Sequence, residues 1–202
     1  MFSRASAAAR VPLTEFFETS VEHFATGAVA PLKSLWSSKP AVVVFIRRLG
    51  CQICRLHCKE VDKLRLDLGG RAAVALVCFE KLGEGSDSDR SFDTQKYFAG
   101  DMYKIALESG VYDKLFGSRS TLGTVYGLLG GDNSATRYRQ SNAEGVKGNL
   151  LGDTKKSLLL GGSFVVDTDG SVLLDHRQKA AGDDAEIDDF RDALEKSKGW
   201  KA

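Results

Sequence analysis

A continuous run of six apolar residues, 41–46, is the feature that most constrains how this chain can fold. Four of the six are β-branched, and the run directly follows Pro40. Such a run has no polar face, so other parts of the protein must cover both of its faces. A central strand of a parallel sheet with helices on both sides meets that requirement. We therefore predict that residues 41–46 form such a strand.

The segment that follows has the pattern of an amphipathic helix. Apolar residues stand at positions 54, 58, 61, 64 and 68, and Gly69-Gly70 supplies a helix stop. A second apolar run, residues 72–79, has the length of a strand. Strand, helix and strand in this order predict a right-handed βαβ unit with two parallel strands.

The rest of the chain carries weaker signals, apart from its C-terminal third. Residues 83–91 are polar and glycine-rich and predict a surface loop, 108–116 indicate a helix, and 117–152 predict short helices and loops. Asp-Gly between the apolar runs 164–167 and 172–176 predicts a β-hairpin. A last helix contains Ile187, Phe190 and Leu194, with Asp183 or Asp184 as its cap. The fold class is α/β, with a central mixed β-sheet flanked by helices.

Size and charge narrow the possible partners. A chain of 202 residues is long enough for one good core, so we predict a single domain over residues 15–202. Chain termini are often poorly ordered, and we predict that residues 1–14 are disordered. Lysine and arginine number 28 against 27 acidic residues, which provides no basic field for nucleic acid. No apolar run approaches the roughly 20 residues of a transmembrane helix, so we expect a soluble protein.

The N-terminus bears on where the protein resides. Residues 1–14 hold two arginines, four alanines and no acid before Glu15, a composition that also suits an organelle transit segment. They lack the apolar block of a secretory signal, so a cytoplasmic, reducing compartment is the expectation. In that setting, four cysteines at positions 51, 54, 58 and 78 point to redox or metal chemistry rather than to a disulfide framework.

Cys51 and Cys54 form a C-x-x-C pair where the first strand passes into its helix. A helix N-terminus favours an anion, and Arg47, Arg48 and Arg55 add positive charge. Both influences lower a cysteine pKa from about 8.5 toward neutrality. Cys51 is therefore the candidate nucleophile. Cys54, one turn later and predicted to be better buried, is the candidate resolving thiol.

Other interpretations of these residues remain open. Cys58 and His57 offer further ligands for zinc, although no second ligand pair follows, and three cysteines of an iron–sulfur site lack a fourth nearby. Cys58 lies one turn deeper on the same helix face and is either a core residue or a secondary thiol. Cys78 lies inside an apolar strand and is predicted to be structural. His57 and His23 are predicted to be surface or cap residues.

Four separated blocks resemble one family. They are FIRRLGCQICR at 45–55, YFAGD at 97–101, GVKGNLLGD at 145–153, and the stretch that begins GGSFVVD at 161–167 and extends to Gly182. In this order they resemble the AhpC/TSA-like, peroxiredoxin-like proteins that include prostamide/prostaglandin F synthase. The resemblance implies a thioredoxin-like fold over residues 15–202 and a catalytic pair at Cys51 and Cys54. It also implies reduction of a prostaglandin or prostamide endoperoxide with electrons from NADPH through thioredoxin, with no cofactor bound.

Two departures from the family's wider relatives qualify that resemblance. Peroxiredoxins carry a proline and a threonine shortly before the reactive cysteine, where this chain has Val44 and Arg48. Thioredoxins place a cis-proline opposite the disulfide, whereas all three prolines here precede the cysteines. We predict that Gly161 and Gly162 occupy that place, where glycine lets a bulky substrate approach the sulfurs.

Two hypotheses of different classes follow. In the first, an enzyme, the Cys51 thiolate attacks an O–O bond or a disulfide, Cys54 closes a disulfide, and a thioredoxin-type partner reopens it. Arg48, Gly50 and Arg55 are the candidate substrate-binding or thiolate-stabilising residues. In the second, the cysteines belong to a redox-sensing or metal-holding module without turnover. The sequence does not name the physiological substrate or the oligomeric state.

Overall fold

The computed structural model describes residues 11–80, 82, 92–118, 120, 133–148 and 158–200. Most of the segment predicted to be disordered, residues 1–10, lies outside these ranges, as does the predicted loop 83–91. Leu13 and Thr14, the third- and fourth-described residues, already belong to a short 3-10 helix, Leu13–Phe16. The side chain of Leu13 is buried.

The predicted βαβ unit is confirmed and forms the centre of the fold. Its strands are β3, Ala41–Phe45, and β4, Ala73–Cys78, which pair in parallel from the first residue of each. Helix α1, Gln52–Leu68, connects them and ends at Gly69, whose φ of 57° is the left-handed conformation that glycine adopts without strain.

Within the described residues, seven strands form one mixed sheet in the order β2-β1-β5-β4-β3-β6-β7, where β6 is Gly162–Val166 and β7 is Val172–Arg177. The three central strands are parallel, and the flanking pairs are antiparallel. Strands β1, Ser20–His23, β2, Val29–Pro31, and β5, Asp101–Ile105, were not predicted. β1 and β5 are partly polar and β2 has only three residues, so none of them carries an apolar run of the kind that revealed β3.

The middle of the chain contains more helix than its sequence indicated. A four-residue helix α2, Thr94–Tyr97, precedes β5. The predicted helix over 108–116 is a 3-10 turn, Leu107–Ser109, followed by a π-helical segment, Tyr112–Phe116. Helix α3, Asn133–Ala143, was predicted only as part of an irregular region. It is largely polar, and Gln52 of α1 ties its C-terminal end to the active-site helix through hydrogen bonds of 2.9 and 2.6 Å.

The C-terminal third follows the prediction closely. Strands β6, Gly162–Val166, and β7, Val172–Arg177, form the predicted hairpin, and α4, Ile187–Glu195, closes the chain. The predicted cap of α4 is wrong. Its cap is Glu186, which forms a reciprocal capping box with Asp189. Asp183 and Asp184 instead lie in the loop before the helix, and Asp184 is part of a buried polar cluster described below.

The sheet separates two hydrophobic clusters, which explains why β3 is apolar throughout. Val42 and Val44 face a cluster that includes the inner sides of α1 and α4. Val43 and Phe45 face a second cluster that includes Tyr112 and the N-terminal aromatic residues. Because a strand alternates its side chains between two faces, both the odd and the even positions of β3 must be apolar.

Candidate active site

Cys51 is the N-cap residue of α1, directly after the turn that follows β3. Its backbone is extended, and its sulfur accepts a hydrogen bond from the backbone N–H of Cys54 over 3.5 Å. An N-cap side chain normally supplies this acceptor as an oxygen of serine or aspartate. Here a sulfur takes that position. The unpaired N–H groups at the N-terminus of the helix therefore point toward the thiolate.

The two thiols differ in acidity as the sequence predicted. A hydrogen bond from the Cys54 side chain lowers the pKa of Cys51 to about 6 against the opposing effect of burial. The charges of Arg47 and Arg48 and the backbone N–H of Cys54 add to the lowering. The pKa of Cys54 is raised, first by its hydrogen bond to Cys51 and then by burial. Cys51 is thus the better nucleophile near neutral pH.

The two thiols do not differ in burial, contrary to prediction. Cys51 is 4% exposed and Cys54 is 6% exposed, so Cys54 is not the deeper of the two. Together with Ile53 they form a small cluster that is covered by Tyr138 of α3 and by Ala181. Tyr138 and Ala181 therefore limit the exposure of both sulfurs to solvent.

The arginines near the pair have separate roles. Arg47, predicted to add positive charge but not included among the candidate thiolate-stabilising residues, has a larger effect on the pKa of Cys51 than Arg48 has. Its Nε donates to the carbonyl of Leu159 over 2.8 Å, which holds the side chain in place. Arg48 is almost fully buried, with its Nε 4.0 Å from an oxygen of Glu80. The same carboxylate accepts the backbone N–H of Leu49 and so fixes the turn before Cys51.

Arg55 lies in a different environment from the one predicted. Its guanidinium donates to the backbone carbonyls of Leu49 and Lys147, each over 2.7 Å. It also lies over the rings of Tyr97 and Phe92, at 5.1 and 5.8 Å from the ring centres. These contacts join the turn before α1 to the segment after α3. Arg55 therefore holds two loops of the site together and is not among the main influences on the pKa of Cys51.

Close backbone packing explains the glycines around the site. A Cβ at Gly148 would lie 2.6 Å from the carbonyl oxygen of Gly50 and 2.8 Å from the backbone nitrogen of Gln52. The segment after α3 thus rests directly on the turn that contains Gly50 and on the start of α1. Gly148 belongs to a block that the sequence comparison singled out, but its contact with the helix end was not foreseen.

Gly161 and Gly162 lie at the start of β6, beside the end of β3, and their correspondence to the cis-proline of thioredoxins stays a prediction. A Cβ at Gly161 would collide with the carbonyl oxygen of Phe45, and one at Gly162 would lie 2.6 Å from the ring of Phe116. Glycine is therefore required here by protein packing, and the predicted opening for a substrate is not what these positions provide. The described residues contain no cis peptide bond.

The two remaining cysteines are core residues. Cys58 is fully buried in the cluster beneath α1, deeper than the reactive pair, and burial raises its pKa. Cys78 ends β4, is buried, and its sulfur accepts the backbone N–H of Glu80 over 3.4 Å. All four thiols are free in this structure. Over the described ranges, no group of three histidine, cysteine or acidic side chains is arranged to hold a metal.

His57 was predicted to lie at the surface, and this is wrong. It is 3% exposed, on the same face of α1 as Cys54 three residues earlier. It belongs to a polar cluster with Glu60 of α1, Arg137 of α3 and Asp184. The spacing from Cys54 was the available signal, because residues three apart on a helix are neighbours. Its burial depends on α3 and α4, whose positions no local pattern reveals.

Comparison with known proteins places the chain in a family. No protein-family model matches it. Prostamide/prostaglandin F synthase of Salmo salar is 33% identical over 178 residues, covering 88% of this chain and 85% of the relative. The synthases of Danio rerio and Sus scrofa are 31% and 35% identical, covering 91% and 86% of this chain and 88% and 83% of the relatives.

Solved structures support the fold. The bacterioferritin comigratory protein of Xanthomonas campestris matches with a TM-score of 0.52 at 12% identity, over 93% of this chain and 94% of its own. A structure of peroxiredoxin Q from the same bacterium matches with a TM-score of 0.50 at 14% identity, over 94% of each chain. Both likenesses confirm the predicted thioredoxin-like fold. No helix in the described parts of the chain is long and apolar enough to cross a membrane.

The extent of the match to the synthases decides the family. The sequence likeness covers more than four fifths of both chains, and the resemblance first noticed in four separate blocks is therefore confirmed. The thiol at the helix N-cap and its neighbour one turn later are consistent with the redox chemistry of thioredoxin-like proteins. The chain belongs to the prostamide/prostaglandin F synthase family and is a thioredoxin-like, peroxiredoxin-like thiol oxidoreductase.

Proposed function

We propose that this enzyme reduces the O–O bond of a peroxide, or of a prostaglandin or prostamide endoperoxide, with Cys51 as nucleophile and Cys54 as resolving thiol. The observation that carries the proposal is the contrast between the two thiols. The pKa of Cys51 is lowered to about 6 at the N-cap of α1, while the pKa of its hydrogen-bond partner Cys54 is raised. One thiolate is ready to attack, and the second thiol stays protonated until it is needed.

In the first step, the Cys51 thiolate attacks one oxygen of the O–O bond. An S–O bond forms, the O–O bond breaks, and the departing oxygen leaves as an alkoxide that takes a proton. The helix N-terminus, Arg47 and Arg48 are the positive groups nearest to this developing charge. The product is a sulfenate ester on Cys51, or a sulfenic acid where the substrate is hydrogen peroxide.

In the second step, Cys54 loses its proton and attacks the sulfur of Cys51. An S–S bond forms, the S–O bond breaks, and the second oxygen leaves and is protonated. An endoperoxide thereby becomes a diol, while the two thiols supply two electrons and two protons. The short distance between the residues on α1 favours this closure, because the backbone N–H of Cys54 already lies 3.5 Å from the Cys51 sulfur.

Turnover requires that the disulfide be reopened. We propose a thioredoxin-type dithiol as the reductant, with NADPH as the electron source through its reductase, so that no bound cofactor takes part in the two steps above. The reductant's thiolate attacks one sulfur, and its second thiol then releases the mixed disulfide. The covered position of the pair between α3 and the loop after β7 is where this partner docks.

A coupled assay tests the proposal. Purified protein is mixed with thioredoxin, thioredoxin reductase and NADPH, and NADPH consumption is followed after adding hydrogen peroxide, an alkyl hydroperoxide or a prostaglandin endoperoxide. We expect steady consumption with at least one of these and formation of the corresponding alcohol. Cys51→Ser removes the thiolate and should abolish turnover, whereas Cys58→Ala, a change in the core beneath α1, should retain it.

The assay also separates the competing functions. Consumption with a protein or small-molecule disulfide but with none of the peroxides would show a disulfide reductase and contradict the proposed substrate class. Full activity in Cys51→Ser would contradict the assigned nucleophile. A single stoichiometric oxidation without turnover, in the presence of active thioredoxin, would indicate a redox-sensing module instead of an enzyme.

A further inference from the structure

One ring nitrogen of His57 is buried without a hydrogen-bond partner in the described part of the chain. Its Nδ1 lies 3.5 Å from Oε2 of Glu60, and Glu60 in turn accepts two hydrogen bonds, of 2.8 and 2.6 Å, from Arg137. The opposite ring nitrogen, Nε2, is buried and has no hydrogen-bond partner in the described part of the chain. Burying such a group without a hydrogen-bond partner is unfavourable, so its position needs an explanation.

His57 also lines a small cavity between the end of β3 and the start of β6. Its lining includes Cys54, His57, Asp184, Gln178 and Ser163. The volume is about 10 Å³, close to the room that a single water molecule needs. The thiol, the imidazole and the carboxylate that line it supply the several polar partners that a buried water requires. Cys54 and His57 thus line the same small cavity.

The ion pair with Glu60 determines which ring nitrogen is basic. In the neutral imidazole, the nitrogen that faces a carboxylate keeps its proton, because it donates to that carboxylate. Nδ1 faces Glu60, so Nε2 carries the lone pair. The free lone pair is therefore on the nitrogen whose hydrogen-bonding capacity no other described residue uses.

We propose that His57 is the proton-transfer residue of Cys54, exchanging a proton with the Cys54 thiol through one water molecule in the cavity that the two residues share. The inference rests on the proposed closing step, in which Cys54 must lose a proton before it can attack. Asp184 and Glu60 stabilise the imidazolium that results. Arg137 holds Glu60, and Gln178 holds Asp184 through a hydrogen bond of 2.6 Å.

The proton balance closes over one catalytic cycle. During closure, the proton of Cys54 passes to Nε2, the Cys54 thiolate attacks the Cys51 sulfur, and the S–O bond breaks. During reopening, the reductant's thiolate attacks the Cys51 sulfur, the S–S bond breaks, and its electron pair goes to Cys54. Cys54 then takes back the proton from the imidazolium. His57 ends the cycle in the state in which it began it.

The charges around His57 predict a pH signature. Burial acts to lower the pKa of His57, but Asp184 and Glu60 together outweigh it, so that the pKa is raised from 6.5 although Arg137 opposes them. Cys54 and Cys58 are the other titratable groups beside it on α1, and α4 contributes the ring of Phe190, 6.4 Å away. Closure needs the neutral imidazole, so its rate should rise with pH through the pKa of His57.

A chromogenic aromatic disulfide separates the two thiol steps without any peroxide. Attack by Cys51 releases one coloured thiolate, and closure by Cys54 releases a second. In His57→Gln, we expect the first phase to keep its rate and the second to slow by about 10²-fold, the lower range for loss of general acid–base catalysis. The dependence of the second phase on His57 ionisation should also disappear. His23→Gln, a substitution of a histidine near the opposite edge of the sheet, is the matched control.

Equal second-phase rates and pH profiles in wild type and His57→Gln would overturn the inference. If His57→Gln does not fold, NMR titration of His57 in the wild type replaces it. The pKa of His57 should differ between the dithiol and disulfide forms, because the Cys54 proton is exchanged between them, and an identical pKa in both forms would contradict the relay. A His57-dependent second phase in an enzyme that reduces no peroxide would retain the inference and reject the proposed substrate class.

Discussion

The hydrogen bond between the two active-site thiols makes a prediction that can be worked in numbers. The pKa of Cys51 is lowered from 9.0, the ordinary value for a cysteine thiol, to about 6, so the surroundings of the thiol lower its pKa by about 3. At about 1.36 kcal/mol per unit, that is about 4 kcal/mol. The largest single cause is the hydrogen bond from the Cys54 side chain. A hydrogen bond to a charged group contributes about 1.5–3 kcal/mol, which corresponds to a lowering of the pKa by about 1 to 2.

Two substitutions at Cys54 isolate that hydrogen bond. Cys54→Ala removes the donor and should raise the pKa of Cys51 to about 7–8. Cys54→Ser keeps a donor at the same position and should leave the pKa of Cys51 near 6. The backbone N–H of residue 54, Arg47 and Arg48 act on Cys51 in both variants, so the comparison cancels their contributions.

The pH dependence of alkylation at Cys51, quantified by mass spectrometry of its peptide, measures these pKa values. The midpoint of the profile is the readout, and the rate at one pH is not, because a thiolate of lower pKa is also a weaker nucleophile. At pH about 6.5, a thiol of pKa about 6 is roughly three quarters ionised, whereas one of pKa about 7.5 is roughly one tenth ionised. A midpoint near 6 in Cys54→Ala, or an equal rise in Cys54→Ser, would refute the assigned cause.

Three further predictions concern parts of the fold that support the site. Gly148→Ala places a methyl group against the backbone at the start of α1, so it should lower the melting temperature and slow Cys51 alkylation. Its control is Gly145→Ala, a change at a glycine with a positive φ and open space beside it. This control should lower the melting temperature through backbone strain without slowing alkylation. Tyr112→Phe removes a buried hydroxyl whose single proton is within reach of two strand-end carbonyl oxygens, at 2.7 and 3.1 Å. This loss should reduce the free energy of unfolding by about 1–3 kcal/mol in denaturant titrations, and an unchanged value would contradict it. The hydrogen-bond partners of Glu60 lower its pKa from 4.5 to about 2. The ionised Glu60 therefore stabilises the fold fully above pH 4.5, and this effect is lost as the pH falls through 2. The free energy of unfolding of Glu60→Gln should decline less over this interval than that of wild type.

Local patterns in the sequence determined the centre of the fold and the position of Cys51 and Cys54 at a helix end. The apolar run of β3 could only be a strand covered on both faces, and the helical spacing after it placed Cys51 at a helix end. Asp-Gly between two apolar runs defined the C-terminal hairpin in the same way. These features depend on residues within one helix or one turn, so periodicity and turn chemistry were sufficient to predict them.

Contacts between distant segments decided the rest. The polar cluster around His57 joins α1, α3 and the loop before α4, residues more than 40 positions apart in the chain. The equal burial of Cys51 and Cys54 depends on Tyr138 and Ala181. The three short strands that were missed are held as strands by pairing with each other and with β4, and their own composition does not require it.

The physical reason is that burial and charge at a site are properties of its three-dimensional surroundings. A helix end favours a thiolate wherever it lies, so the sequence alone indicated that the pKa of Cys51 is lowered. Whether a histidine three residues beyond Cys54 meets water or a buried carboxylate depends on which helices pack over it. Only the tertiary structure brings Glu60, Arg137 and Asp184 together around His57 and forms the buried polar cluster from which we infer its role.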